Sequence, residues 1–103
     1  MEYTEGIKII ERQIDNYKLN DAIELADKLL QNYPQKEELL CLMGKIYTRQ
    51  QKYGDAQNIY LKVLEINEDN NVAKTSITMI DNILKIRRTF YYENTYTDDD
   101  LYQ

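Results

Sequence analysis

Residues 40–47 read LCLMGKIY, a mostly apolar run with a glycine at its centre and no turn-forming neighbour. Inside an exposed helix, glycine costs roughly 1 kcal/mol relative to alanine. A glycine in such a run therefore calls for a packing reason, and the rest of the chain supplies one.

Outward from this stretch, the sequence matches itself at an offset of 34 residues. YKLNDAIELADKLLQN (17–32) falls on QKYGDAQNIYLKVLEI (51–66), with Asp21 on Asp55, Ala22 on Ala56, Leu25 on Ile59 and Lys28 on Lys62. Leu29 meets Val63 and Leu30 meets Leu64; upstream, Ile7 meets Cys41 and Ile9 meets Met43. Apolar positions in each half recur at helical spacing, so each unit is predicted to be two helices joined by a short turn. With only three glycines and one proline in 103 residues, a turn-rich β architecture is disfavoured and an all-α chain expected.

A 34-residue helix–turn–helix unit resembles the tetratricopeptide repeat. Residues 37–70 carry the likeness best: Leu40 at the bulky opening position, Met43 and Gly44 as the apolar–small pair, Tyr47 one turn later, Tyr53 at the inter-helix turn, Ala56 opening the second helix and Tyr60 its aromatic. Val63 replaces the usual alanine, and Glu68 stands where proline is usual. Residues 3–36 are more degenerate: Ala22 and Pro34 match, while Gly6, Ile10 and Gln13 depart from the pattern. The resemblance implies an α-α superhelix with a concave groove lined by the first helix of each unit, and it gives Gly44 a role. Small residues at Gly44 and Ala56 are expected to let paired helices approach, flanked by Tyr47 and Tyr60. Small stand-alone proteins of this kind look bacterial.

One period further on, residues 71–88 read as a capping helix with Val72, Ala73, Ile77, Ile80, Ile83 and Leu84 as its apolar positions, capped by Asn70 or Asn71. The expected architecture is a domain over 1–88 (units 3–36 and 37–70 plus this fifth helix) followed by an aromatic, acidic tail over 89–103. About three repeats are normally needed for a stable solenoid, so two and a half predicts a well-packed cap or support from another surface.

The tail holds five of the eleven aromatic residues together with Glu93, Asp98, Asp99 and Asp100, and no Lys or Arg. Disordered tails are usually poor in aromatics, which predicts docking, either in its own groove or in a neighbour's. The resemblance implies groove positions at Ile7, Glu11, Ile14 and Asp15 in the first unit and Cys41, Lys45, Thr48 and Arg49 in the second. The cap would add Val72, Thr75, Met79, Asn82 and Ile83. Lys45 and Arg49, one turn apart on a shared face, suit a peptide bearing carboxylates, such as DDDLYQ at 98–103. The cation and amide set with which some family members hold chaperone C-termini is not reproduced, so chaperone binding is not expected.

Several functions are disfavoured by composition. The net charge is −5, and outside the tail 13 basic groups face 14 acidic ones, leaving no basic footprint for nucleic acid. No run approaches the roughly 20 apolar residues of a membrane span. The N-terminus lacks a signal-peptide pattern, and a lone cysteine fits a reduced, cytoplasmic setting. With no histidine, the commonest general base and metal ligand is missing. The glycines are scattered at 6, 44 and 54, so there is no phosphate loop. Cys41 reads as a buried, inert thiol. No enzyme activity, cofactor or metal is expected. The expectation is an interaction module that holds a peptide or protein segment in its groove; the alternative is a homo-oligomer, in the simplest case a homodimer, packing cap and tail on a second copy.

Overall fold

The computed structural model describes the backbone of residues 1–102 and the side chains of residues 1–89. The described residues form five helices: α1 (Tyr3–Asp15), α2 (Leu19–Asn32), α3 (Glu37–Arg49), α4 (Tyr53–Ile66) and α5 (Asn71–Tyr102), with no strand among them. Both ends of α1 and α2 lie 34 residues before those of α3 and α4, and α5 starts one further period on. Each helix packs on the next in sequence, and α1 also lies beside α3 and α3 beside α5.

The repetition extends to individual turn hydrogen bonds. α1 ends with the Lys18 amide donating to the Gln13 carbonyl at 2.8 Å and the Tyr17 amide to the Ile14 carbonyl at 3.0 Å. α3 ends the same way, Lys52 donating to Tyr47 at 2.8 Å and Gln51 to Thr48 at 3.0 Å. This closure drives one residue into the left-handed region, at Tyr17 (φ 58°) and Gln51 (φ 62°). Neither is glycine, so both turns carry a backbone cost set by the tightness of the hairpin.

Inside each hairpin, bulk on one helix is matched by room on the other. Gly44 is buried on α3, and a Cβ built there would lie 2.7 and 2.8 Å from two ring carbons of Tyr60 and closer still to Cζ. The glycine thus makes room for the aromatic ring itself, a different reason from the helix-to-helix approach at Ala56 expected from the sequence. One period earlier the sizes are exchanged: Ile10 stands in place of Gly44 and Ala26 in place of Tyr60, all of them buried. Gly6 repeats the device against the flexible end of Leu29. Ile10, Ile14, Leu39, Leu40, Ile46, Val63 and Ile80 make up the largest fully buried side chains of a core that runs from α1 to α5.

The junctions between units also share a frame. In the first, the Tyr3 ring meets Tyr33 edge-on at 5.0 Å and lies under the Lys36 ammonium at 5.4 Å. In the second the same three slots hold Glu37, Asn67 and Asn70, and Glu37 Oε1 accepts from both asparagine amides at 2.9 Å. Asn70 Oδ1 in turn accepts the Ala73 amide at 2.9 Å, making Asn70 the cap of α5.

α5 differs from the expected capping helix over 71–88. It continues without a break to Tyr102, 32 residues in all, so the backbone of the expected tail is a continuation of the cap. The sequence has no glycine or proline after Gly54 and thus nothing that stops a helix. How the tail's side chains dock lies outside the described residues. The face of α5 on which a sixth helix would pack carries Lys74, Thr78 and Asp81, all exposed, one period after Leu40, Gly44 and Tyr47. A polar outer face is how a solenoid end avoids further stacking.

Candidate functional site

α3 and α5 flank a cavity of about 610 Å³. α3 contributes Glu38, Cys41, Leu42, Lys45, Thr48 and Arg49; α5 contributes Val72, Ser76 and Met79; Tyr60 of α4 and Asn70 complete the lining. The register follows from helical spacing: residues 38, 41, 42, 45, 48 and 49 fall on one stripe of α3, and 72, 76 and 79 on one stripe of α5.

Tyr60 is fixed from two sides. Gly44 leaves room for its ring, and its hydroxyl donates to the Cys41 carbonyl at 3.5 Å. Burial pushes the Tyr60 hydroxyl above its ordinary pKa, so it stays protonated as a donor. Thr48 Oγ1 donates back to the Gly44 carbonyl at 2.8 Å, which uses up its hydrogen. Burial, with the charge of Glu37 second, also raises the Cys41 thiol, and its Sγ lies 4.0 Å from Asn70 Oδ1. The thiol is therefore held in its weakly nucleophilic form. Paired amide donors from Asn70 and Asn67 hold the Glu37 carboxyl below its usual range, so it stays charged.

The cationic side of the cavity is Lys45 and Arg49. The Arg49 guanidinium sits 5.6 Å from the Tyr17 ring centroid, a stacking contact that orients it without neutralising its charge. Among the described residues the single ion pair is Lys74–Asp69 at 4.0 Å, so neither Lys45 nor Arg49 has a carboxylate partner there. Opposite them, Val72 and Met79 are 57% and 45% exposed, apolar surface with no covering side chain among the described residues. The Lys45–Arg49 end of the α3 wall thus attracts anions, Glu38 on the same wall carries the opposite charge, and the α5 wall attracts apolar side chains.

Of the expected groove residues, Cys41, Lys45, Thr48, Arg49, Val72 and Met79 come together here. Thr75, Asn82 and Ile83 line a shallower depression farther along α5 with Met79 and Ile86. Ile7 and Ile14 are core residues, 4% and 1% exposed, and do not line the groove. They fall on the stripe of α1 that faces its neighbours, which the degenerate first unit had obscured. Glu11 and Asp15 are exposed on α1 and line neither depression. Glu38, Leu42, Tyr60, Asn70 and Ser76 were not foreseen. Helical spacing from Cys41, Lys45 and Arg49 reaches Glu38 and Leu42, whereas Tyr60 and Asn70 enter only through the packing of α4 and its following turn.

Among the described residues no helix is long and apolar enough to cross a membrane, and no group of three or more acidic or cysteine side chains is placed to hold a metal ion. Compared with known proteins, the chain matches no family model and no curated protein sequence.

Proposed function

We propose that this protein is a non-enzymatic interaction module of tetratricopeptide type, which holds an apolar, carboxylate-bearing segment of a partner polypeptide in the cavity between α3 and α5. One observation carries the reading: the cavity sets two cations without ion-pair partners among the described residues against an exposed apolar wall. Such a site takes side chains of both kinds from one strand. Support also comes from the 34-residue period, which governs helix ends, turn hydrogen bonds and the left-handed residues alike.

Each rim cation contributes modestly, since exposed ion pairs are worth roughly 0.2–1 kcal/mol; bidentate geometry at Arg49 would add to this. Apolar contacts with Val72, Met79 and Leu42 then supply most of the affinity, and the cations select the ligand's charge. The test is a titration of fluorescent peptides in which Asp or Glu flank Leu or Tyr, beside neutral and basic versions of the same peptides. Acidic peptides should bind best, more weakly in high salt, and on the order of tenfold more weakly to Lys45→Glu/Arg49→Glu. Equal binding of all three peptide classes, or binding indifferent to the charge reversal, refutes the assignment.

A further inference from the structure

The cavity between α3 and α5 has two unlike ends. The helices run side by side in the same direction: Asn70, just before α5, reaches Glu37 at the start of α3, and Arg87 far along α5 reaches Gln51 just past the end of α3. Glu38 therefore lines one end with Val72, and Lys45 and Arg49 line the other with Met79. At a rise of about 1.5 Å per residue, the two cations lie about 10 and 16 Å from Glu38 along the helix. Between the charges the α3 wall offers Cys41 and Leu42.

A tyrosine of the first unit orients the charge at each end. Tyr3, in the first turn of α1, donates its hydroxyl to Glu38 Oε2 at 3.3 Å, and the Tyr17 ring lies 5.6 Å from the Arg49 guanidinium. Burial, with the Glu38 charge second, pushes the Tyr3 hydroxyl up to about 12, so it stays a neutral donor and leaves the carboxylate its charge. The nearby Lys36 ammonium lies over the Tyr3 ring at 5.4 Å, and Glu38, like Lys45 and Arg49, has no ion-pair partner among the described residues. One period before the two cations, α1 carries Glu11 and Asp15, both exposed. Their charge turns an anionic segment away from the first unit and keeps it between α3 and α5.

We propose that the partner segment held here is dipolar: a Lys or Arg at Glu38, a short apolar stretch against Leu42, Val72 and Met79, then carboxylates at Lys45 and Arg49. An extended chain advances about 3.3 Å per residue, so the basic residue and the first carboxylate stand about three to five residues apart. The inference rests on the groove reading and adds a sign at the other end, where a purely acidic partner meets repulsion from Glu38. Charge alone fits either chain direction, so both orders enter the test.

The test uses the full chain and short fluorescent peptides: a Leu–Tyr stretch with Lys on one side and a pair of Asp on the other, in both orders, beside the same peptides with Asp in place of Lys. The better of the two orders should bind on the order of fivefold more tightly than its all-acidic counterpart. Glu38→Gln should remove that advantage and Glu38→Lys should reverse it, both variants keeping the helical circular dichroism because Glu38 is exposed. Placing the Lys beside the Asp pair should also abolish the advantage, since adjacent residues cannot reach both ends. An advantage that survives in Glu38→Lys, or that is indifferent to the spacing, overturns the proposal. So does equal or tighter binding of the all-acidic peptide by the wild-type chain. Where that acidic peptide still depends on Lys45 and Arg49, the groove reading stands and the dipolar ligand falls; where no peptide binds, both fall.

Discussion

Gly44 and Gly54 sit in successive helices of one hairpin, yet their surroundings predict opposite responses to the same change. A methyl group at Gly44 would drive into the Tyr60 ring, whereas a methyl at Gly54 meets nothing within 4 Å. Gly44→Ala gains helix propensity of about 1 kcal/mol and loses more through overpacking, so a net loss of roughly 1–2 kcal/mol is expected. Gly54→Ala keeps the propensity gain alone and should stabilise by up to about 1 kcal/mol. Urea unfolding of the two variants checks both signs. The exchange of sizes between the units adds a sharper prediction. Gly44→Ile and Tyr60→Ala should each destabilise, while the double variant, which copies Ile10 and Ala26, should recover on the order of 1–3 kcal/mol of coupling. Strictly additive losses in that cycle would contradict the size-matching account.

At the scale of the element, a shared backbone frame is held by different chemistry in each unit. Three slots at each junction are filled by Tyr3, Tyr33 and Lys36 in one case and by Glu37, Asn67 and Asn70 in the other. The two junctions therefore respond to opposite ends of the pH scale. The Glu37 carboxyl lies below its ordinary 4.5 because two amides stabilise its charged form. Its contribution is complete above 4.5 and is lost as pH falls through the lower folded value. Tyr3 is pushed up to about 12 from 10.0 by burial first and by the Glu38 charge second, so its neutral form is the one favoured by folding. Its contribution is complete below pH 10.0 and is lost as pH rises through about 12. Thermal melts across pH should show both declines. Glu37→Gln should flatten the acid one and Tyr3→Phe part of the alkaline one, each leaving the opposite limb unchanged.

For the whole molecule, stability is propagated along a stack in which each helix touches few others. α5 packs chiefly on α4 and touches α3, and Ile80 is its fully buried anchor. Arg87 ties the helix farther along, its guanidinium 5.0 Å from the Tyr53 ring centroid and donating to Gln51 Oε1 at 3.3 Å. Ile80→Ala should cost about 2–5 kcal/mol by leaving a cavity. In a one-dimensional stack that loss falls first on the nearest interface. Amide exchange should therefore speed up in α4 and α5 more than in α1 and α2. Equal acceleration throughout would mean that the five helices unfold as one unit.

The all-α class, the 34-residue unit and the start of α5 at Asn71 were legible in the sequence, because helical periodicity and an internal match are local signals. Lys45, Arg49 and Met79 were legible as exposed positions for the same reason: each lies on the solvent-facing stripe of a strongly patterned helix. The two turns were harder to read. The left-handed positions hold Tyr17 and Gln51 where glycine would have marked them, and the closure is imposed by hairpin packing. Ile7 and Ile14 were misplaced because an apolar residue on a short helix looks alike facing a groove or a core. The reason for Gly44, the slot shared by Glu37 and Tyr3, and Tyr60 in the cavity lining were decided only in three dimensions. Each depends on which side chain a neighbouring helix brings opposite, and that is a property of packing which no single segment encodes.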